Sequence, residues 1–196
     1  IRLWCPDYSE QLSLNKFLDQ KTTQIDDLIA KKERLIQLLE EERTAIINQA
    51  VTKGLDPTVP MKDSGIEWLG EIPEHWEVNK LKQIFNSSKG LTITKENLES
   101  DGIPCINYGE IHSKFGFEVD IDKHQLKCVN PTYLESDYKS LIQTGDFVFA
   151  DTSEDVSGAG NFTYLKSNHE IFAGYHTIIL RTFCDIEPRY FAYQFD

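Results

Sequence analysis

Two polar stretches carry side chains whose donors and acceptors could read the hydrogen-bonding edges of another molecule. The first, Asn107-Tyr108-Gly109-Glu110-Ile111-His112-Ser113-Lys114, follows an apolar run. The second runs from Asp151 to Gly160 and continues into Asn161, Tyr164, Lys166 and Asn168. Amides, hydroxyls and imidazoles discriminate base edges in a DNA groove, whereas lysines mainly hold phosphates. On that chemistry the candidate contact residues are Lys89, Asn107, Tyr108, His112, Ser113, Lys114, Thr152, Ser153, Asn161, Tyr164 and Lys166. Lys80, Lys82 and Lys95 could add backbone contacts. Which of these touch bases and which phosphates stays open, and an ordinary surface loop is the alternative for each.

Other chemistries find less support. The histidines at 75, 112, 124, 169 and 176 share no metal-ligand spacing. His176, between Tyr175 and Thr177 in an apolar run, is expected in the core. Cys5, Cys105, Cys128 and Cys184 form no Cys-x-x-Cys pair, which points to reduced thiols rather than zinc or redox work. Carboxylates are abundant, but no compact Asp…Glu-x-Lys set sits on strand-like sequence, so a solvated acidic face is the simpler reading. Asn130-Pro131-Thr132-Tyr133 is similar to the Asn-Pro-Pro-Tyr motif of adenine methyltransferases, and Asp155–Gly160 faintly resembles a glycine-rich cofactor turn. Such a turn should follow a buried strand and open a helix. Here polar Asp151–Glu154 precedes it and strand-like Asn161–Tyr164 follows. The two motifs also lie only about 25 residues apart, too close for a catalytic α/β domain. Neither catalysis nor a cofactor nor a metal is expected.

The elements that position these residues divide near Gly54. All eleven glycines and six of the seven prolines lie from that point onward, and only Pro6 precedes it. Glycine and proline interrupt helices, so the first part can be one long helix and the second cannot. The spacing predicts a helix over 9–53, capped by Asp7 or Ser9 and stopped by Gly54 and Pro57. Leu18, Ile25, Lys32, Leu39 and Ile46 recur every seven residues, accompanied by Leu28 and Leu35, with Ile29 and Ile36 widening the stripe. That is a coiled-coil seam, and it requires a partner helix. Residues 55–64 read as a linker. From residue 65 to 196, short strands are expected at Trp76–Val78, Ile103–Tyr108, Phe147–Ala150, Asn161–Leu165 and Tyr175–Arg181. Short helices are expected at Leu81–Phe85, Lys95–Ser100 and Pro188–Phe195. The fold class is therefore a mixed α/β (α+β) domain preceded by one long coiled-coil helix.

Charge raises an objection to DNA reading. The net charge is −12. Residues 10–53 hold 8 acidic and 7 basic side chains, whereas residues 54–196 hold 23 and 12. A net −11 on the second part opposes a phosphate backbone. No apolar run reaches the ~18 residues of a membrane helix, and the first ten residues lack a signal-peptide pattern, so a cytoplasmic chain without a membrane partner is expected.

Four stretches are spelled distinctively. Phe17-Leu18-Asp19-Gln20-Lys21-Thr22-Thr23-Gln24-Ile25-Asp26, Arg34–Glu41 and Asn48–Leu55 resemble the conserved spacer helix of type I restriction–modification specificity subunits. Asp63-Ser64-Gly65-Ile66-Glu67-Trp68-Leu69-Gly70-Glu71-Ile72-Pro73-Glu74-His75-Trp76 resembles that family's entry into a target recognition domain. Leu141–Ala150 and Phe172–His176 are looser matches. The resemblance implies a chain holding the tail of one recognition domain (1–8), a spacer helix and most of a second recognition domain, incomplete at its C-terminus. It further implies double-stranded DNA as ligand, with modification and restriction subunits as partners that supply the catalysis and many phosphate contacts. The family pairs two spacer helices antiparallel. A homodimer through the long helix would restore that cover here. A coiled-coil adaptor that never reads DNA is the alternative.

Overall fold

An unbroken run of helix-tolerant residues makes the first element, and long-range strand pairing makes the rest. The computed structural model describes residues 3–152, 158 and 160–196. It divides into two compact units, one ending at Pro57 and one spanning Thr58–Asp196.

The first unit is dominated by helix α1 (Tyr8–Lys53), 46 residues and about 69 Å long. Its start follows the capping expectation. The Asp7 carboxylate accepts from the Glu10 amide at 2.9 Å and from the Ser9 hydroxyl at 2.9 Å. These bonds, the Glu10 amide first, hold the Asp7 carboxyl below its ordinary value. At the other end Gly54 adopts φ +78 with ψ −171, a positive φ but not the left-handed helical cap. No residue of the helix is buried, and Leu18, Ile25, Leu28, Ile29, Leu35, Ile36, Leu39 and Ile46 are 45–61% exposed.

The second unit begins with a hairpin of β1 (Met61–Asp63) and β2 (Glu71–Pro73). The expected linker thus already contains a strand, and the strand expected at Trp76–Val78 lies instead at 71–73, where a partner exists. Then follow β3 (Phe85–Lys89), β4 (Ile103–Ile106), α2 (Tyr108–Ser113), β5 (Glu118–Val119) and β6 (Lys127–Val129). After these come α3 (Tyr133–Ser136), β7 (Leu141–Ile142), β8 (Phe147–Ala150) and β9 (Phe162–Leu165). The chain closes with β10 (Ile171–Ala173), β11 (Thr177–Thr182) and α4 (Pro188–Phe195). Leu81–Gln83 and Lys95–Asn97 are single 3₁₀ turns where longer helices were expected.

A five-stranded sheet runs β3-β11-β8-β9-β5 and a four-stranded one β6-β4-β10-β7. Both are mixed: β5 is parallel to β9 and β4 to β10, with all other pairs antiparallel. The sheets meet at two glycines. Gly90 and Leu91 leave β3 and donate to the carbonyls of Thr177 and Ala173, one on each sheet. A Cβ on Gly90 would lie 2.1 Å from the Gly174 carbonyl, so no larger residue fits there. Ile106, Ile111, Val119, Val148, Leu165, Ile171 and Ile179 form one buried cluster. A second is aromatic, with Phe85, Phe147, Phe162 and Tyr164 packed against α4 through Ala192, Phe191 and Phe195.

Asp146 ties the sheets electrostatically. It is 1% exposed and accepts from Arg181 Nε at 2.9 Å and Nη2 at 2.5 Å, and from the Gln143 amide at 2.8 Å. Arg181 Nη2 also donates to the Leu141 carbonyl of β7 at 2.8 Å. The carboxylate raises the Arg181 guanidinium above its ordinary value, chiefly through these hydrogen bonds.

Two outcomes follow from this packing. Gly90→Ala is expected to destabilise the protein by about 1–3 kcal/mol, measured as the urea midpoint at constant m. Gly109→Ala, with open space at its Cβ, should be neutral or stabilise α2 by up to about 1 kcal/mol. The Asp7 cap is a depressed carboxylate, so its contribution is present above the unfolded value and disappears as pH falls through the folded one. The protection factors of the first-turn amides of α1, taken against intrinsic exchange at each pH, should therefore fall on acidification, and should not do so in Asp7→Asn.

Candidate nucleic-acid interface

The polar stretch after β4 folds as α2 because Asn107 caps it from inside. Asn107 is 2% exposed, and its backbone amide and side-chain amide both donate to Glu110 Oε2, at 3.3 and 3.2 Å. Gly174 leaves room for it, since a Cβ there would meet Asn107 Oδ1 at 1.9 Å. Asn107 thus holds the helix start instead of facing outward as expected. Tyr164 is likewise inside, 6% exposed in the aromatic cluster, and burial raises its phenol above the ordinary value. Every residue of β9 is buried, so alternation gives that strand no outward face.

Of the other candidates in these two stretches, Tyr108, His112, Thr152 and Asn161 converge. His112 reaches across from α2 to both flanks of the polar segment after β8. Its Nε2 is 3.1 Å from the Thr152 carbonyl, and its Nδ1 is 3.0 Å from Asn161 Nδ2. The amide nitrogen can only donate, so Nδ1 accepts and the proton sits on Nε2, pointing at the carbonyl. Tyr108, one turn earlier, packs edge-on against His112, Tyr175 and His176 at 6.2, 5.5 and 5.4 Å between ring centroids. Ser113 and Lys114 are exposed on the same helix. Ser113 bonds the Gly109 carbonyl, and Lys114 lies 3.5 Å from Glu110. Lys166 is exposed beyond β9, 4.0 Å from Glu118, and Lys89 is exposed at the end of β3. The structure does not bring these two lysines into the cluster. Ser153 lies outside the described residues.

Two members, Tyr175 and His176, were missed in the sequence, and Asp151 lay in the second polar stretch without being named as a contact. His176 was expected in the core, yet it is exposed, and it is the one non-glycine with positive φ (+55) among the described residues. Its Nδ1 lies 3.2 Å from Asp151 Oδ1, and its carbonyl accepts from the Asp151 amide at 3.1 Å. A non-glycine residue in the left-handed region is strained, and such strain clusters at binding sites. The signal available was Gly174, a break two residues earlier in an apolar run. Burial, then Tyr108 and Glu110, push the Tyr175 phenol above its ordinary value, so it remains a protonated donor at neutral pH.

Together these side chains expose donors, acceptors and ring edges where α2, the end of β8 and the β10–β11 turn meet. This arrangement suits hydrogen-bond recognition rather than covalent chemistry. Asn130, from the methyltransferase-like motif, accepts from the Thr132 amide and hydroxyl at 3.1 and 2.9 Å. It forms a turn that starts α3. No group of three or more His, Cys, Asp or Glu among the described residues is arranged to hold a metal. None of their helices is long and apolar enough to cross a membrane.

No protein-family model matches the chain. Among curated proteins it is similar to the type I restriction enzyme MjaVIII specificity subunit of Methanocaldococcus jannaschii. The two are 26% identical over 170 residues, which is 87% of this chain and 37% of that protein. Among solved structures it is similar to the HsdS subunit from Thermoanaerobacter tengcongensis (TM-score 0.50, 12% identity). It is also similar to a chain solved for complex assembly and conformational transition of the type I R-M system (TM-score 0.54, 15% identity). Each structural match covers 97% of this chain and 41% of the other. The chain therefore spans under half the length of these relatives. Its mixed α+β fold, a long helix followed by a sheet-rich domain, is shared with HsdS, and its sequence is similar to that of a type I restriction specificity subunit.

The cluster generates a test of its own. His176→Gly removes both the backbone strain and the imidazole, so folding stability should stay within about 1 kcal/mol of wild type. On the expectation of DNA reading, affinity for double-stranded DNA, measured by fluorescence anisotropy, should nevertheless fall about tenfold, as should that of Asn161→Ala. Unchanged affinity in both variants would remove this cluster from the interface.

Proposed function

We propose that this chain is the DNA-reading part of a type I restriction–modification specificity subunit and has no catalysis of its own. The observation that carries the reading is the 170-residue similarity, which runs through both the helix and the sheet-rich unit. In this reading residues 1–8 end a first recognition domain, 9–54 are the spacer helix, 55–64 the connection and 65–196 a recognition domain. The second unit reads one half of a split site on double-stranded DNA through Tyr108, His112, Asp151, Asn161, Tyr175 and His176. Lys89, Lys114 and Lys166 supply phosphate contacts. The helix sets the distance to the other half-site and pairs antiparallel with a second such helix, from a second copy when the chain is alone. Modification subunits dock on the assembly and methylate, restriction subunits cut, and the complex works in the cytoplasm.

The helix stripe favours pairing physically. Burying a leucine or isoleucine that is half exposed contributes about 1 kcal/mol or more, and eight such side chains share one seam. An adaptor would pair equally well, so the test must separate pairing from reading. Leu35→Lys with Leu39→Lys is expected to give monomers in sedimentation. In the presence of modification subunits it should weaken binding to a two-part site far more than to a half-site. Lys114→Ala with Lys166→Ala should leave association intact, weaken both sites and reduce the salt slope by about 0.9 per lost phosphate contact. Loop changes without effect on DNA, beside helix changes that abolish only association, would establish the adaptor.

A further inference from the structure

The most exposed large apolar side chain described in the second unit is Trp68, 83% accessible. It stands in the turn between β1 and β2, and that turn is tightly built. Its ends are closed by the Ser64 amide on the Gly70 carbonyl at 2.9 Å, and the Gly70 amide returns to Ile66 at 3.0 Å. Asp63 Oδ1 accepts from the Gly65 amide at 2.9 Å, and Ser64 Oγ from the Ile66 amide at 3.1 Å. Gly65 and Gly70 supply the left-handed φ values, +73 and +68, that the reversal needs. Beneath the turn, Met61 pairs with Pro73 and Asp63 with Glu71. An indole held on a preformed frame loses little conformational freedom when it is covered. Large aromatic anchors of this kind dominate protein interfaces.

The surroundings select the kind of partner. Asp63, Glu67, Glu71, Glu74 and Glu77 are all exposed, and Lys62 is the only lysine or arginine in residues 61–77, so five acidic against one basic group leave a net −4. Phosphates brought close enough for a base to stack on Trp68 would meet this excess of negative charge. A protein surface with an apolar cleft rimmed by lysine or arginine meets them favourably. We propose that the β1–β2 turn is a protein-docking knob, in which Trp68 fills an apolar cleft on a basic partner and the carboxylates around it steer the approach. The choice of partner in the test rests on the function proposed above, which makes the modification subunit of the same system the probe.

The experiment uses the full chain, the purified modification subunit and, separately, the DNA half-site. Trp68→Ala is expected to weaken binding of the modification subunit about tenfold or more, with half-site affinity unchanged. Trp68→Phe should retain most of the affinity. Glu67→Gln with Glu74→Gln should slow association and flatten its salt dependence. Wild-type binding of the modification subunit by Trp68→Ala overturns the proposal. A loss of half-site affinity in its place identifies the turn as a nucleic-acid contact and equally overturns it. If the wild-type chain holds DNA but not the modification subunit, the knob is refuted and DNA reading stands. If it holds neither, both readings fall.

Discussion

The contact on which most of the second unit depends is the ion pair between buried Asp146 and half-buried Arg181. A carboxylate at 1% exposure is tolerable only when its charge is met by well-placed donors, and here the guanidinium and the Gln143 amide provide them. The consequences spread along the chain. The Gln143–Asp146 turn needs Gly145 at φ +97, and that glycine lies against Pro188, the first residue of α4. Arg181 reaches from β11 to β7 through the Leu141 carbonyl, so one side chain fixes a strand of each sheet. The pair also helps set the register in which Leu180 faces Phe147 and Thr177 faces Ala150. At the far end of these two strands stand Asp151 and His176. The polar cluster is therefore placed by a charge interaction several residues away.

That placement bears on the acidic balance. With 23 acidic and 12 basic side chains in residues 54–196, the unit cannot bind DNA by general attraction. Recognition by such a surface must draw on directional hydrogen bonds, which demand rigid presentation. The cluster has that rigidity, since His112 spans two chain segments and His176 is pinned by both its backbone and its ring. Under the proposed function, most phosphate neutralisation falls to other subunits.

Legibility in the sequence followed the range of the forces involved. The long helix was readable to within a residue because nothing in it breaks a helix and Asp7 acts locally. β8 and α4 were read with their observed bounds, and β9 to within one residue, from apolar runs flanked by turn residues. β3 was not, because Phe-Asn-Ser-Ser-Lys has one apolar residue, and its five-residue pairing with β11 decides its conformation. Strands of two or three residues, such as β5, β7 and β10, carry no periodic signal at all. Of the candidate site, Tyr108 and His112, which lie on α2, and Thr152 and Asn161, which flank the segment after β8, were named in the two polar stretches. Tyr164 was misplaced because both faces of β9 are buried, and Asn107 because its side chain turns inward beside Gly174 to cap α2. His176 was misplaced for the opposite reason. Its apolar neighbours suggested a continuous strand, whereas the chain turns at Gly174 and passes from one sheet to the other.

The helix and the domain meet the same physical requirement by different means. In the domain, apolar surface is covered within the unit, and the ion pair on buried Asp146 and two close-approach glycines fix the arrangement. In α1 none of the residues is buried, and the eight stripe residues keep 45–61% of their surface in water. A helix of this length gains little from propensity alone, so its rigidity must come from whatever covers that stripe. The absence of glycine and proline keeps the backbone continuous for about 69 Å, which is the property a spacer needs. Continuity is written locally into the sequence, whereas stiffness requires cover for the stripe. Under the proposed function, spacing is coupled to assembly: the distance between two DNA-reading units is defined only when the seam is closed.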